Sequence, residues 1–426
     1  MLEKSKRLSR LSLRTIYLCI FILVIEALLL WNTNSQGSPF IYPYFSGATN
    51  LGFDLAWKID VKKYFDFLQL PYAQQLGYVF ERGQPNDLIE YSILDRGYMF
   101  IVWIAQHLFF WLPQIKAVIW LQILFHIASS LWVMNELSTR REQITFFLFY
   151  AANPIIIHFV TFAFYYYWQI IPPLAWYIYM KKAGLNNLPG LCLLATVLAA
   201  AFLIRQSTLI ISLLILSVIA WQVRKLLPWA ILFLFFILTI VFKNPSQPWH
   251  TAYVGIGAYS NSAGIELSDE SGYKRFSEQT GINIEVWRPY DGNIYDPAVQ
   301  KLYYSNLKDG LINYAKEHPW QMARNAVLNV LQSFSVGYPV GHEKLAYASA
   351  FLGLIVFIIL IKTRLYSIFV LAFANVAGFA FYFPPIPAYM FGNYFLLTLA
   401  LVTIVSRVEK FNTITSFLRY KKKRLS

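Results

Sequence analysis

The stretch KIDVKKYFDFLQL, Lys58 to Leu70, sets Asp60 four residues ahead of Tyr64. The two stand on one face if the segment is helical. Asp54 and Asp66 flank the pair, and Lys58, Lys62 and Lys63 surround it with positive charge. A carboxylate held at a membrane boundary can act as a general base or bind a metal. The same spacing also describes an ordinary solvated amphipathic helix.

Arg205 and Gln206 interrupt the otherwise apolar AAFLIRQSTLII. An arginine within a membrane is costly and so a functional candidate by default, and its planar fork matches a phosphate. An arginine snorkelling to lipid headgroups would read the same way. Glu26, near the outer end of the first apolar run, either faces the bundle interior or reaches the interface, with the interface favoured. HFVTFAFYYYWQIIPP crowds His158, Tyr165, Tyr166, Tyr167, Trp168 and Gln169 onto one turn. An interfacial aromatic belt accounts for such a crowd; a carbohydrate site would use the same faces and amides. PWHTAYVGIGAYSN, Pro248 to Asn261, is Gly-rich but lacks the strand–loop–helix setting and lysine of a phosphate loop.

Composition defines the medium in which these groups work. Hydrophobic residues make up 57% of the 426 and charged residues only 14%, against about a quarter in soluble domains. Several apolar runs reach about 17–20 residues, enough to cross ~30 Å of hydrocarbon. The expected fold is an all-α polytopic membrane protein, and the net charge of +14 marks a cytoplasmic membrane side rather than a nucleic-acid partner. Cys19 and Cys192 both lie in apolar runs, so neither a disulfide framework nor a metal site is expected.

The apolar runs place spans at about 15–31, 116–134, 144–162, 165–180, 188–204, 206–221, 226–242, 345–361, 365–383 and 390–406. Segment 97–112 either crosses or lies in the interface. If it does not cross, Lys4 to Arg14, Arg140–Arg141, Lys181–Lys182, Arg224–Lys225, Lys362 with Arg364 and the tail RYKKKR all fall on one side. That parity favours about ten spans with both termini cytoplasmic, and interfacial helices at 97–112 and 319–338. The basic start MLEKSKRLSRLSLR, without a small-x-small site, reads as an uncleaved signal anchor. The chain then divides into 1–242, a membrane module with a first outer loop at 32–115; 243–344, an outer cap with turn signals YDGN and QTGIN; and 345–426, membrane helices and a basic tail.

Together these features resemble the polytopic GT-C glycosyltransferases that use polyprenyl-phosphate sugars, in the branch of protein mannosyltransferases and lipid A aminoarabinose transferases. DVKKY (Asp60–Tyr64) is similar to that branch's acidic motif, with Val61 where a second acid often sits. LDRGYMFIVWIAQHLF resembles its juxtamembrane helix, and NPIIIHFVTFAFYYYWQIIPPLAWYIY its third and fourth spans, with Gln169 where an acid is common. LIRQSTLII resembles its Arg-bearing span. PWHTAYVGIGAYSN and EHPWQMARNAVLNV resemble the two ends of its cap, and PAYMFGNYFLLTLAL its last span, with Ala388 in place of an Arg.

The resemblance implies a GT-C-like fold and an inverting sugar transfer on the outer face of the membrane. Asp60 would be the base, with Asp54 or Asp66 as its alternative. Arg205 and Arg96 would hold the donor phosphate, and Tyr64, His158, Tyr167, Gln169, His250 and Tyr389 would line the substrates. The implied partners are a polyprenyl-phosphate-linked sugar, a glycan, lipid or protein acceptor, and the bilayer itself. No obligatory cofactor follows, and a divalent cation stays open. A bacterial inner membrane is the expected location. An O-antigen-type polymerase or ligase is the nearer rival. A lipid-linked-sugar transporter is the further one, although no inverted repeat is visible.

Overall fold

The computed structural model describes residues 41–51, 58–90, 96–182, 187–223, 228–232, 248–283 and 297–425, together with Cys19, Ile22, Leu23, Glu26, Leu234 and Phe235. Helix α1 (Ile41–Thr49) is buried from Ile41 through Ala48. Strand β1 (Lys58–Asp60) leads directly into α2 (Val61–Gln69) and pairs antiparallel with β2 (Leu88–Glu90), in the register Lys58↔Glu90, Ile59↔Ile89, Asp60↔Leu88. The expected helix across Asp60 and Tyr64 therefore starts one residue late. Asp60 takes an extended backbone, and its side chain accepts from the Lys63 N–H. An aspartate is more useful as an N-cap than inside a helix, where it competes for backbone hydrogen bonds. This ribbon is a small departure from the all-α expectation.

Helix α3 (Arg96–Leu108) has 13 residues, fewer than a crossing requires. Helix α4 (Gln114–Glu136) is long and apolar enough to cross. The expected span 144–162 is broken. Helix α5 (Arg140–Phe146) starts at a Thr139–Glu142 capping box and runs into a π-turn at Phe147–Ala151. Asn153 then caps α6 (Pro154–Val160), and the two pieces meet at a 54° bend. Pro154 lacks the N–H that would carry the first helix onward, yet suits the first position of a new one. The span expected at 165–180 likewise begins as a 3-10 turn, Tyr167–Ile170, before α7 (Ile171–Lys182). Helix α8 (Leu188–Ile204) matches its expected limits, and α9 (Leu209–Val223) follows across Arg205 and a 3-10 turn at Gln206–Thr208.

The cap expected at 243–344 contains α10 (Trp249–Gly255), α11 (Asp269–Thr280), α12 (Pro297–Glu317) and α13 (Pro319–Gln332). Helix α11 stops at Gly281, whose φ of 71° is the left-handed C-terminal turn that glycine adopts at least cost. Then come α14 (Glu343–Lys362), α15 (Tyr366–Ala377) and α16 (Phe391–Leu425). The span expected at 365–383 ends at Ala377, and the chain beyond turns toward the cap. Phe379, Ala380, Phe383 and Met390 join Tyr253, Phe276, Tyr303 and Leu307 in one buried cluster. Gly255 makes that approach feasible, since a Cβ there would lie 2.1 Å from the Tyr382 carbonyl oxygen.

The protein is a helical membrane protein. Among the described residues, α4, α14 and the Phe391–Val408 part of α16 are long and apolar enough to cross, with the bent pair as a fourth; α8, α9 and α15 are shorter apolar helices. The expected spans 15–31 and 226–242 lie largely outside the described residues, as does the YDGN turn.

Candidate functional site

Arg205 occupies the break between α8 and α9. Its backbone is extended (φ −150°, ψ 112°) and its N–H donates to the Ala201 carbonyl. Its own carbonyl accepts from the Thr208 N–H at 3.0 Å and the Thr208 hydroxyl at 2.8 Å. The turn is therefore clamped on both sides of the arginine. The guanidinium, half-buried, lies 4.2 Å from the Tyr165 ring centre and 5.3 Å from that of Tyr389. Each such contact contributes about 0.5–2 kcal/mol, more as water is excluded. The guanidinium is a planar fork of N–H donors, the shape that grips the oxygens of an anion.

Three features bring the rings to that arginine. The 3-10 turn Pro387–Tyr389, started by Pro387, presents Tyr389. Gln169 fastens this turn to the aromatic one by donating to the Ala388 carbonyl at 3.0 Å and the Tyr166 carbonyl at 3.2 Å. Tyr166 sits edge-on to Tyr389 at 5.7 Å. Below them, Gly97 lies against the backbone of Leu203 and Ile204. That contact brings the start of α3, with exposed Arg96, to the Arg205 end of α8. Of the residues singled out from sequence, Arg205, Tyr389 and Gln169 meet in one place, and Gly97 places Arg96 beside it.

Tyr165, rather than Tyr167, faces the arginine. Tyr167 is fully buried on the opposite side, 5.8 Å from the His126 ring. Residues two apart on so tight a turn point in different directions, and the spelling YYY does not say which one faces the charge. His158 is exposed at the end of α6, with its ring 5.1 Å from that of Phe159.

The carboxylates lie elsewhere. Asp60 was expected to face water; it is 3% exposed. Its N–H donates to Ser46 Oγ at 3.0 Å, and its carbonyl accepts from the Tyr42 hydroxyl at 2.9 Å. Its Oδ1 accepts from the Lys63 N–H at 3.1 Å, and its Oδ2 lies 4.0 Å from Lys63 Nζ. Tyr44, two residues beyond Tyr42, packs instead on Tyr98 and Tyr165 at 5.1 and 5.9 Å. A two-residue step turns a helix by about 200°, so α1 stands between Asp60 and the rings around Arg205. Tyr64 is buried, 5.1 Å from Tyr42. Asp66 is exposed on α2, and Asp54 lies outside the described residues. The burial follows from α1 and the ribbon closing over Asp60, which spacing within α2 alone does not reveal.

This geometry separates two roles for Asp60. Asp60→Ala removes the cap and costs about 0.5–2 kcal/mol, whereas Asp60→Asn keeps it. Thermal unfolding in detergent should therefore drop for the alanine variant and stay near wild type for asparagine, and equal losses in both would contradict the capping account.

His250 lies in the cap. Its Nε2 is 2.9 Å from Asp269 Oδ1 and its Nδ1 is 2.5 Å from the Tyr303 hydroxyl. A carboxylate only accepts, so Nε2 carries the proton and Nδ1 accepts from the phenol. Burial pushes the Tyr303 phenol far above its ordinary range, which keeps it a donor. The chain Tyr303–His250–Asp269 pins α10, α11 and α12 together. His250→Phe strands the Tyr303 hydroxyl and should cost about 1–3 kcal/mol. Denaturant unfolding of the two variants checks this, with Tyr303→Phe expected to lose less.

Among the described residues, no group of three or more His, Cys, Asp or Glu side chains could hold a metal ion. Comparison of the chain with protein-family models, curated proteins and solved structures gives no match.

Proposed function

We propose that the protein is a membrane glycosyltransferase that moves a sugar from a polyprenyl-phosphate donor to an acceptor hydroxyl, with inversion. The observation that carries this reading is the half-buried Arg205 guanidinium beside the Tyr165 and Tyr389 rings at a break between two apolar helices. A lipid-borne phosphate needs a cation at the membrane boundary, and a sugar needs flat aromatic faces beside it. In the transfer, the acceptor oxygen attacks the anomeric carbon, the bond to the phosphate oxygen breaks, and the electron pair leaves on the polyprenyl phosphate. Arg205 stabilises the charge that develops there, which is worth most where water is excluded. The acceptor proton passes to an outer carboxylate; Asp60 is buried behind α1 as the cap of α2, which favours Asp66, or Asp54 outside the described residues. Asp66 is the exposed one of the two that are described.

The test is binding of a short-chain polyprenyl phosphate, without sugar, followed by native mass spectrometry. A charged hydrogen bond contributes about 1.5–3 kcal/mol, so Arg205→Ala should weaken binding by about 10–100-fold. Unchanged affinity would remove the phosphate from Arg205.

A further inference from the structure

The bundle interior holds a second polar cluster that the transfer reaction does not use. Glu26 and His126 are both fully buried, with His126 Nε2 3.9 Å from Glu26 Oε1. His126 Nε2 also lies 2.9 Å from the Ala151 carbonyl. A carbonyl only accepts, so Nε2 carries a hydrogen. Both carboxyl oxygens of Glu26, Nδ1 of His126, and the hydroxyls of Ser130, Tyr150 and Tyr167 are buried without a hydrogen-bond partner. The His126 ring lies 5.6 Å from Tyr150 and 5.8 Å from Tyr167. Gln122, His126 and Ser130 recur every four residues along one face of α4, about 6 Å apart. Gln122 is fully used: it donates to the Val160 and Phe162 carbonyls and accepts from the Trp168 indole.

An orphaned carboxyl, one imidazole nitrogen and three hydroxyls at one place in a membrane interior are expensive. A buried ion pair offsets its desolvation only with further hydrogen bonds, and here the remaining atoms have none. The cluster also meets a second irregularity, because Tyr150 and Ala151 belong to the π-turn Phe147–Ala151 at the 54° break. Such π-bulges recur at functional sites.

We propose that Glu26 and His126 form an intramembrane proton-binding site, in which one exchangeable proton rests on the Glu26 carboxyl or on His126 Nδ1, beside Tyr150, Tyr167 and Ser130 at the break between α5 and α6. With one proton between carboxylate and imidazole the pair is neutral overall, whichever group carries it; loss of that proton, or uptake of a second, charges the cluster. The groups facing the pair are Tyr150 from the π-turn, Tyr167 from the 3-10 turn and Ser130 from α4. Helix α16 contributes Phe395 against Tyr150 and Phe391 against Tyr167. The site stands on geometry that the transferase reading does not need.

The test is infrared difference spectroscopy of the purified protein in lipid nanodiscs, stepped in pH, for wild type, Glu26→Gln, His126→Asn and Tyr167→Phe. Wild type should show a titrating carboxyl signal that Glu26→Gln abolishes. His126→Asn should displace its midpoint by about one pH unit or more, the size of effect a neighbouring charge exerts. Tyr167→Phe, the mildest change, should shift the carbonyl band. A Glu26→Gln spectrum superimposable on wild type would overturn the proposal. So would a midpoint and band indifferent to both other variants, or a signal that follows sodium concentration instead of pH.

Discussion

Arg205→Ala is expected to lower sugar transfer by about 10²–10³-fold, the usual cost of removing one preorganised group that stabilises developing charge. The Thr208 bonds hold the backbone of the α8–α9 turn, and the Tyr165 and Tyr389 rings pack close to the guanidinium. In the proposed reaction, such a group would meet the phosphate without reorganising. Arg205→Lys keeps the charge but loses both the fork and the stacking plane, so it should recover only part of the activity. Tyr165→Ala and Tyr389→Ala should each weaken transfer less than Arg205→Ala. Steady-state kinetics with labelled donor separate these cases. A lysine variant as active as wild type would reduce Arg205 to a headgroup anchor.

Gly97→Ala should damage both the fold and transfer. A Cβ at that position would lie 2.5 Å from the Leu203 carbonyl carbon and 2.6 Å from the Ile204 nitrogen. Both are backbone atoms, so neither can rotate away, and the helices must separate. Overpacking of this kind costs about 1–3 kcal/mol. The displaced element is the end of α8 that carries Arg205, and a shift of about 1 Å at a reacting centre can cost 10²-fold in rate. Both the unfolding temperature and transfer should fall. Gly77→Ala is the control, because its Cβ would meet only the Gln74 carbonyl oxygen at an ordinary 3.6 Å. Equal behaviour of the two variants would show that the α3–α8 approach does not matter.

Arg205 was legible in the sequence because a charge within an apolar run is conspicuous, and the limits of α8 could be read from Leu188 to Ile204. The turn at Gly281 was legible too, since QTGIN combines a polar helix end with a left-handed glycine. The choice of Tyr165 over Tyr167 was not, because it depends on the direction of a 3-10 turn. Burial of Asp60 was hidden for a related reason: the residues that cover it, Tyr42 and Ser46, belong to a helix 14 and 18 positions earlier. Glu26 was expected toward the interface, and its burial against His126 joins positions about a hundred residues apart. Pattern within one segment shows which face is apolar, not what lies against it. The shortened α15 shows the same limit: its hydropathy continues past Ala377, but the following residues serve the cap.

The central claim is that Arg205 serves transfer from a lipid-phosphate sugar. Its most direct test is transfer of labelled sugar from polyprenyl-phosphate donors by the purified protein in detergent. Wild type, Arg205→Ala and Asp60→Asn would be run side by side, with and without EDTA. The account predicts turnover in wild type that falls by at least about two orders of magnitude in Arg205→Ala. The Asp60→Asn arm keeps the cap and asks whether that buried carboxylate takes any part in transfer, and the EDTA arm reports on a divalent ion. Turnover in Arg205→Ala equal to that of wild type, or no turnover by wild type with any donor, would contradict it.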